Sequence, residues 1–151
     1  MIFLKKRIPK KIRKAYKYVL KQCNDSNVGY SQALRGNQLH NGVRHYDCSS
    51  LIYYALKDAG FDLSSCKYPF TTYTMPQILK GLGFKELPAT AKWRRGDIVW
   101  KETHTEMCYR ARRKLTMGAH GASYPLAEQV SVRDRPAPVG YWAKIFRYEE
   151  V

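Results

Sequence analysis

The sequence predicts an α+β domain, with helices first and antiparallel strands after them. Apolar residues recur at helical spacing over residues 8–20 and 51–59, and a strand-like pattern replaces that spacing after residue 96. Turn residues separate these segments, and no low-complexity linker or internal repeat divides the chain. At 151 residues and 44% hydrophobic content, the chain is long enough to bury a core. We expect one domain over 1–151, made of a basic helix over 1–23 and a core over 24–151.

Residues 5–21 hold nine Lys/Arg (Lys5, Lys6, Arg7, Lys10, Lys11, Arg13, Lys14, Lys17, Lys21) and no acid. Ile8, Ile12, Ala15, Tyr16, Val19 and Leu20 share one helical face, and Pro9 suits a first turn. The expectation is an amphipathic helix whose basic outer face is either simply solvated or an electrostatic docking surface. Residues 24–46, rich in Asn, Gly, Ser and Gln, read as an ordered loop.

Leu51, Ile52, Ala55, Leu56 and Ala59 then mark a second helix, opened by Asp47 or Ser49 and stopped by Gly60. Cys48 falls in its first turn, where unpaired backbone N–H groups and the positive dipole end favour a thiolate. The alternative is a small buried cysteine that happens to fall there. Thr74-Met75-Pro76 opens a short helix ending near Gly81 or Gly83. Strands follow over Asp97–Trp100, His104–Tyr109, Leu115–Ala119 and Val139–Tyr148, the last placing Trp142, Phe146 and Tyr148 on one face.

A cysteine nucleophile requires a base, and the base requires an orienting group. His104 begins one expected strand and His120 ends the next, so pairing of these strands brings both to one end of the sheet. The expected constellation is Cys48 as nucleophile, His104 as base and His120 as its polar orienter. His40, His45 and Cys48 lie close in sequence but match no metal-ligand spacing, and we expect neither metal nor cofactor.

Cys23, Cys48, Cys66 and Cys108 are irregularly spaced and contain no Cys-x-x-Cys pair. Met1-Ile2-Phe3-Leu4 is too short for a signal-peptide core, and no apolar run approaches a membrane span, so a classical secretory route is not expected. The net charge of +15 implies an anionic partner: nucleic acid, an acidic membrane surface or wall phosphate polymers.

Three segments occur in order: Tyr46-Asp47-Cys48-Ser49-Ser50, Arg95-Gly96-Asp97-Ile98-Val99-Trp100 and His104-Thr105-Glu106-Met107. Gly29-Tyr30-Ser31-Gln32 precedes them and Met117-Gly118-Ala119-His120 follows. Over roughly residues 28–148 this series resembles the NlpC/P60 cysteine peptidases, most of all their bacteriophage peptidoglycan hydrolase branch. The resemblance implies a papain-like NlpC/P60 core, a nucleophile-bearing helix packed on an antiparallel sheet, here with an extra basic N-terminal helix.

It also implies hydrolysis of a peptidoglycan amide through a thioester, by Cys48, His104 and His120. Tyr30 matches the family's oxyanion-site tyrosine, and Asp47 matches the acid before the cysteine, where helix capping is the plainer role. Tyr53, Tyr73, Trp93 and Trp100 are candidates for lining a substrate groove or, equally, for packing. The bond expected is the N-acetylmuramoyl-L-alanine amide, with a stem-peptide bond as alternative.

The expected partners are bacterial peptidoglycan and, through the basic helix, anionic wall polymers or lipids, with no nucleic acid. The expected location is the producing cell's cytoplasm before release to the wall, or the virion. Competing readings are a basic nucleic-acid-binding protein, an inactive wall-binding relative and an acyltransferase on the same core.

Overall fold

The computed structural model describes residues 7–150, so Lys5 and Lys6 of the expected basic helix lie outside the described residues. The first helix, α1, is Lys10–Cys23 rather than starting before Pro9. Pro9 is its N-cap in extended backbone (φ −54°, ψ 146°), and the helix begins where proline's missing N–H costs nothing. Ile12, Ala15 and Val19 face the core, while Lys10, Arg13, Lys14, Lys17 and Lys21 are exposed.

The expected loop over 24–46 contains a small sheet: β1 (Val28–Tyr30), β2 (Leu39–His40) and β3 (Val43–Tyr46), in the order β1-β3-β2. β1 runs parallel to β3, and β2–β3 is a hairpin turned at Asn41 and Gly42, both at positive φ (52° and 77°). Asn-Gly is the residue pair that such a two-residue turn demands. Helix α2 is Cys48–Asp58, and α3 is Met75–Gly81. At the start of α3 the Thr74 hydroxyl bonds Thr71 rather than capping the helix.

The main sheet has six strands, all antiparallel: β4 (Phe84–Pro88), β5 (Ile98–Lys101), β6 (His104–Arg110), β7 (Leu115–Ala119), β8 (Val130–Val132) and β9 (Lys144–Tyr148). Their order is β4-β9-β5-β6-β7-β8, and the short helix α4 (Leu126–Gln129) leads into β8. Strands β4 and β8 were not expected from the sequence. The last strand starts at Lys144, so Trp142 precedes it instead of sharing a face with Phe146.

Register divides the sheet into two faces. Phe146 pairs with Ile98, Ile98 with Met107, and Met107 with Met117, and all four join the cluster made with Ile12, Ala15, Leu51, Ile52 and Leu56 of the helices. Ile145 and Val99 form the next row and belong to a second cluster with Trp93, Cys108 and Trp142. Val99 pairs with Glu106, so a carboxylate occupies the row where Ile145 and Val99 put hydrocarbon. Gly118 admits it: a Cβ there would lie 3.1 Å from Glu106 Cγ. Gly96, at φ 90°, makes the turn into β5 against Ile12, where any side chain would collide.

Candidate active site

Asp47 caps α2 by accepting the Ser50 N–H at 2.8 Å, while Ser50 Oγ returns a 2.9 Å bond from the Asp47 N–H. This capping box fixes the first turn, and Cys48 is its first residue, buried at 8% exposure. Glu106 hydrogen-bonds His104 directly, and the Cys48 side chain lies close enough to act on the same imidazole. His104 Nε2 lies 2.6 Å from Glu106 Oε2. Burial is the largest single influence on the imidazole and lowers its pKa. The combined hydrogen bonds and charges of Cys48 and Glu106 outweigh it and hold His104 up to about 9.

His104 and Glu106 stand two apart on β6, so they share a face of the strand. Glu106 is fully buried. Burial alone would raise its pKa. Hydrogen bonds from His104 and His120, the charge of His120 and a bond from Arg133 hold it well below the ordinary carboxylate range. Arg133 Nε lies 3.1 Å from both carboxylate oxygens and its NH2 2.9 Å from one of them, while Thr116 Oγ1 donates at 2.7 Å.

His120 was expected against His104, but the polar partner on His104 Nε2 is Glu106. His120 Nδ1 reaches the same carboxylate oxygen at 3.1 Å from the other side, and its Nε2 donates to the Ser131 carbonyl at 2.8 Å. The physical reason is volume: a glutamate at 106 fills the space between the two rings.

Tyr30 ends β1, half-buried, with its phenol pKa raised by burial and then by the nearby charges of Cys48 and Asp47. Of the four proposed groove residues only Tyr73 exposes its ring (68%). Tyr53 is buried against Tyr54 and Phe70, and Trp93 is buried in the second cluster with Nε1 donating to the Ala89 carbonyl, so both pack rather than line a groove. Trp100 is half-buried, and its Nε1 donates to the Thr72 carbonyl at 2.8 Å. An open pocket of about 560 Å³ abuts the site instead, lined by Glu106, His120, Tyr124, Arg133, Tyr141 and Trp142, and the Trp142 ring stacks on His104 at 5.7 Å.

Among the described residues, His104, Glu106 and His120 place ligand atoms within 4.8 Å of one another, a spacing a metal could use. The Arg133 guanidinium already supplies the positive charge at that carboxylate, so the cluster reads as an ion-pair network. His40 and His45 lie on the small sheet, 6.4 Å apart, and form no such cluster with Cys48. Cys23 and Cys108 are pushed by burial to about 12, which leaves them unreactive thiols.

Sequence reasoning missed Glu106, Arg133 and also Arg35, whose Nε donates to Asp47 Oδ2 beside Cys48. The first was legible as His-x-Glu on a strand, which puts both side chains on one face. Arg133 and Arg35 arrive from segments with no periodic signal.

A family model described as bacteriophage peptidoglycan hydrolase matches residues 20–107. Among solved structures, the P60 domain of an antigen from M. avium subspecies paratuberculosis is similar at 20% identity and TM-score 0.53, over 91% of this chain and 96% of that one. The resuscitation promoting factor interacting protein RipA, in a mutated form, is similar at 20% identity and TM-score 0.54, over 99% of this chain and 70% of that one. No curated protein matches significantly.

Proposed function

The chain belongs to the bacteriophage peptidoglycan hydrolase family, with an NlpC/P60-type fold, and from that premise we propose that it cleaves an amide bond by a Cys48 thiolate mechanism. The observation that carries the proposal is the relay from Cys48 in the first turn of α2, through His104, to buried Glu106. Cys48 Sγ attacks the amide carbonyl carbon, and the His104 imidazolium gives its proton to the departing amine. A thioester on Cys48 results. Water then attacks that thioester with His104 as base, releasing the acid and restoring the thiol.

We assign the developing oxyanion to the Cys48 N–H, which at the first position of α2 has no partner inside the helix, and to the Tyr30 phenol, whose pKa feels the charge of Cys48. Glu106 takes the orienting role first expected of His120, and His120 with Arg133 holds Glu106 ionised. We assign the bond as the N-acetylmuramoyl-L-alanine amide, on the likeness of the motif series to the phage branch, with a stem-peptide bond as the alternative.

Digestion of purified peptidoglycan by wild type and Cys48→Ala, with products identified by mass spectrometry, tests the reading. L-alanine amino termini freed from muramic acid, and absent with the variant, are expected. Termini inside the stem peptide would replace the bond and keep the mechanism, whereas no release by wild type would make this an inactive wall-binding protein.

The two basic clusters meet in space. Tyr16 of α1 donates to the Tyr109 carbonyl at 3.1 Å and their rings stack, with Arg95 over Tyr16 and Arg110 over Tyr109. We assign the exposed stripe of α1 and the exposed residues Arg110, Arg112, Arg113 and Lys114 to anionic wall polymers or lipids. Lysis should fall steeply as salt rises, and a rate indifferent to ionic strength would remove this assignment.

A further inference from the structure

Arg35 lies between β1 and β2, in the segment that leads towards the Cys48 helix. Its guanidinium makes four hydrogen bonds. Nε donates to Asp47 Oδ2 at 2.6 Å and NH2 to Ser49 Oγ at 3.1 Å, so it grips the residues on both sides of Cys48. On its other side NH1 donates to the Pro69 carbonyl at 2.9 Å and NH2 to the Phe70 carbonyl at 2.5 Å. Two residues on, the Thr72 carbonyl accepts the Trp100 Nε1–H, and Trp100 pairs with Thr105, the neighbour of His104. A continuous bridge therefore runs from the Cys48 turn, through Arg35 and residues 69–72, to the start of β6.

We infer that Arg35 is a positioning residue that sets where Cys48 sits relative to His104 and offsets the Asp47 charge beside the sulfur. The division of labour at Asp47 supports this. Oδ1 serves the helix by accepting from Ser50, and Oδ2 is given to Arg35. Without the cation a buried carboxylate would stand uncompensated beside the nucleophile. Only a planar fork bonds Asp47, Ser49 and two carbonyls together; a lysine supplies the charge without that geometry. The inference deepens the hydrolase reading and rests on it.

The test compares wild type, Arg35→Gln and Arg35→Lys on peptidoglycan, with rates expressed per folded molecule. Iodoacetamide labelling of Cys48 at pH 6 is followed in parallel by mass spectrometry of the Cys48 peptide. Arg35→Gln should lower kcat by at least about tenfold with KM changed less than about threefold, and should slow Cys48 labelling. Arg35→Lys should recover labelling while kcat stays low, separating charge from geometry. Wild-type kcat and labelling in the folded fraction of Arg35→Gln would overturn the inference, leaving Arg35 a fold-stabilising contact. A rise in KM alone would overturn it too, by making Arg35 a substrate contact. Labelling needs no peptidoglycan, so a wild type inert on sacculi would sink the hydrolase reading while the labelling arm still reports on Arg35.

Discussion

Two carboxylates are buried in the main sheet region, and each is held by an arginine from a distant segment. Asp97 accepts from Arg147 Nε at 3.0 Å and NH2 at 2.7 Å, and from the Arg94 N–H at 2.8 Å. Glu106 accepts from Arg133 in the same bidentate manner. The difference lies in the remaining partners. Asp97 closes the turn at Arg94–Gly96 and ties it to β9, and no catalytic side chain touches it. Glu106 has two imidazoles on its other side, one of which continues to a cysteine. A buried carboxylate–arginine pair is thus part of the architecture; the imidazole and thiol attached to one of them make the chemistry.

The largest expected effect that would break this comparison is on Glu106→Gln. The amide can hydrogen-bond but cannot hold the His104 imidazolium, so kcat should fall at least about 10²-fold per folded molecule. Asp97→Asn should leave kcat of the folded enzyme near wild type while lowering stability by about 3 kcal/mol, because it strands Arg147. Urea unfolding beside turnover measurements separates the two, and a catalytic loss in Asp97→Asn would erase the distinction.

The smallest effect concerns pH. His104 stands at about 9 when folded against 6.5 ordinarily, so its stabilising contribution is complete below 6.5 and is lost as pH rises through 9. The alkaline limb of activity should therefore lie near pH 9 and move down in Glu106→Gln. A limb near 6.5 in wild type would mean that Glu106 does not support the imidazolium.

Much of this was readable from local chemistry. The α2 start was legible because Asp47, Ser50 and the apolar face agree within a dozen residues, and β6 and β7 were legible from their flanking turn. The β2–β3 hairpin was also local, at Asn41-Gly42, but polar flanking residues hid its strands. Strand β4 mixes Phe84 and Leu87 with Lys85 and Glu86 and is defined by pairing with β9, sixty residues away in sequence, which no local pattern encodes. The same holds for Arg133 and Arg35, whose partners are set by the fold. His120 was placed at the correct strand end, but its neighbour was not, because the side chain filling the gap depends on Gly118 opposite Glu106.

The most direct measurement is the rate of Cys48 alkylation by iodoacetamide at pH 6 in wild type, Asp97→Asn and Glu106→Gln. Wild type and Asp97→Asn should react much faster than a free cysteine, and Glu106→Gln at least about tenfold more slowly than wild type. Equal rates in wild type and Glu106→Gln, or a wild-type Cys48 no faster than a free cysteine, would contradict the relay from Glu106 through His104 to Cys48.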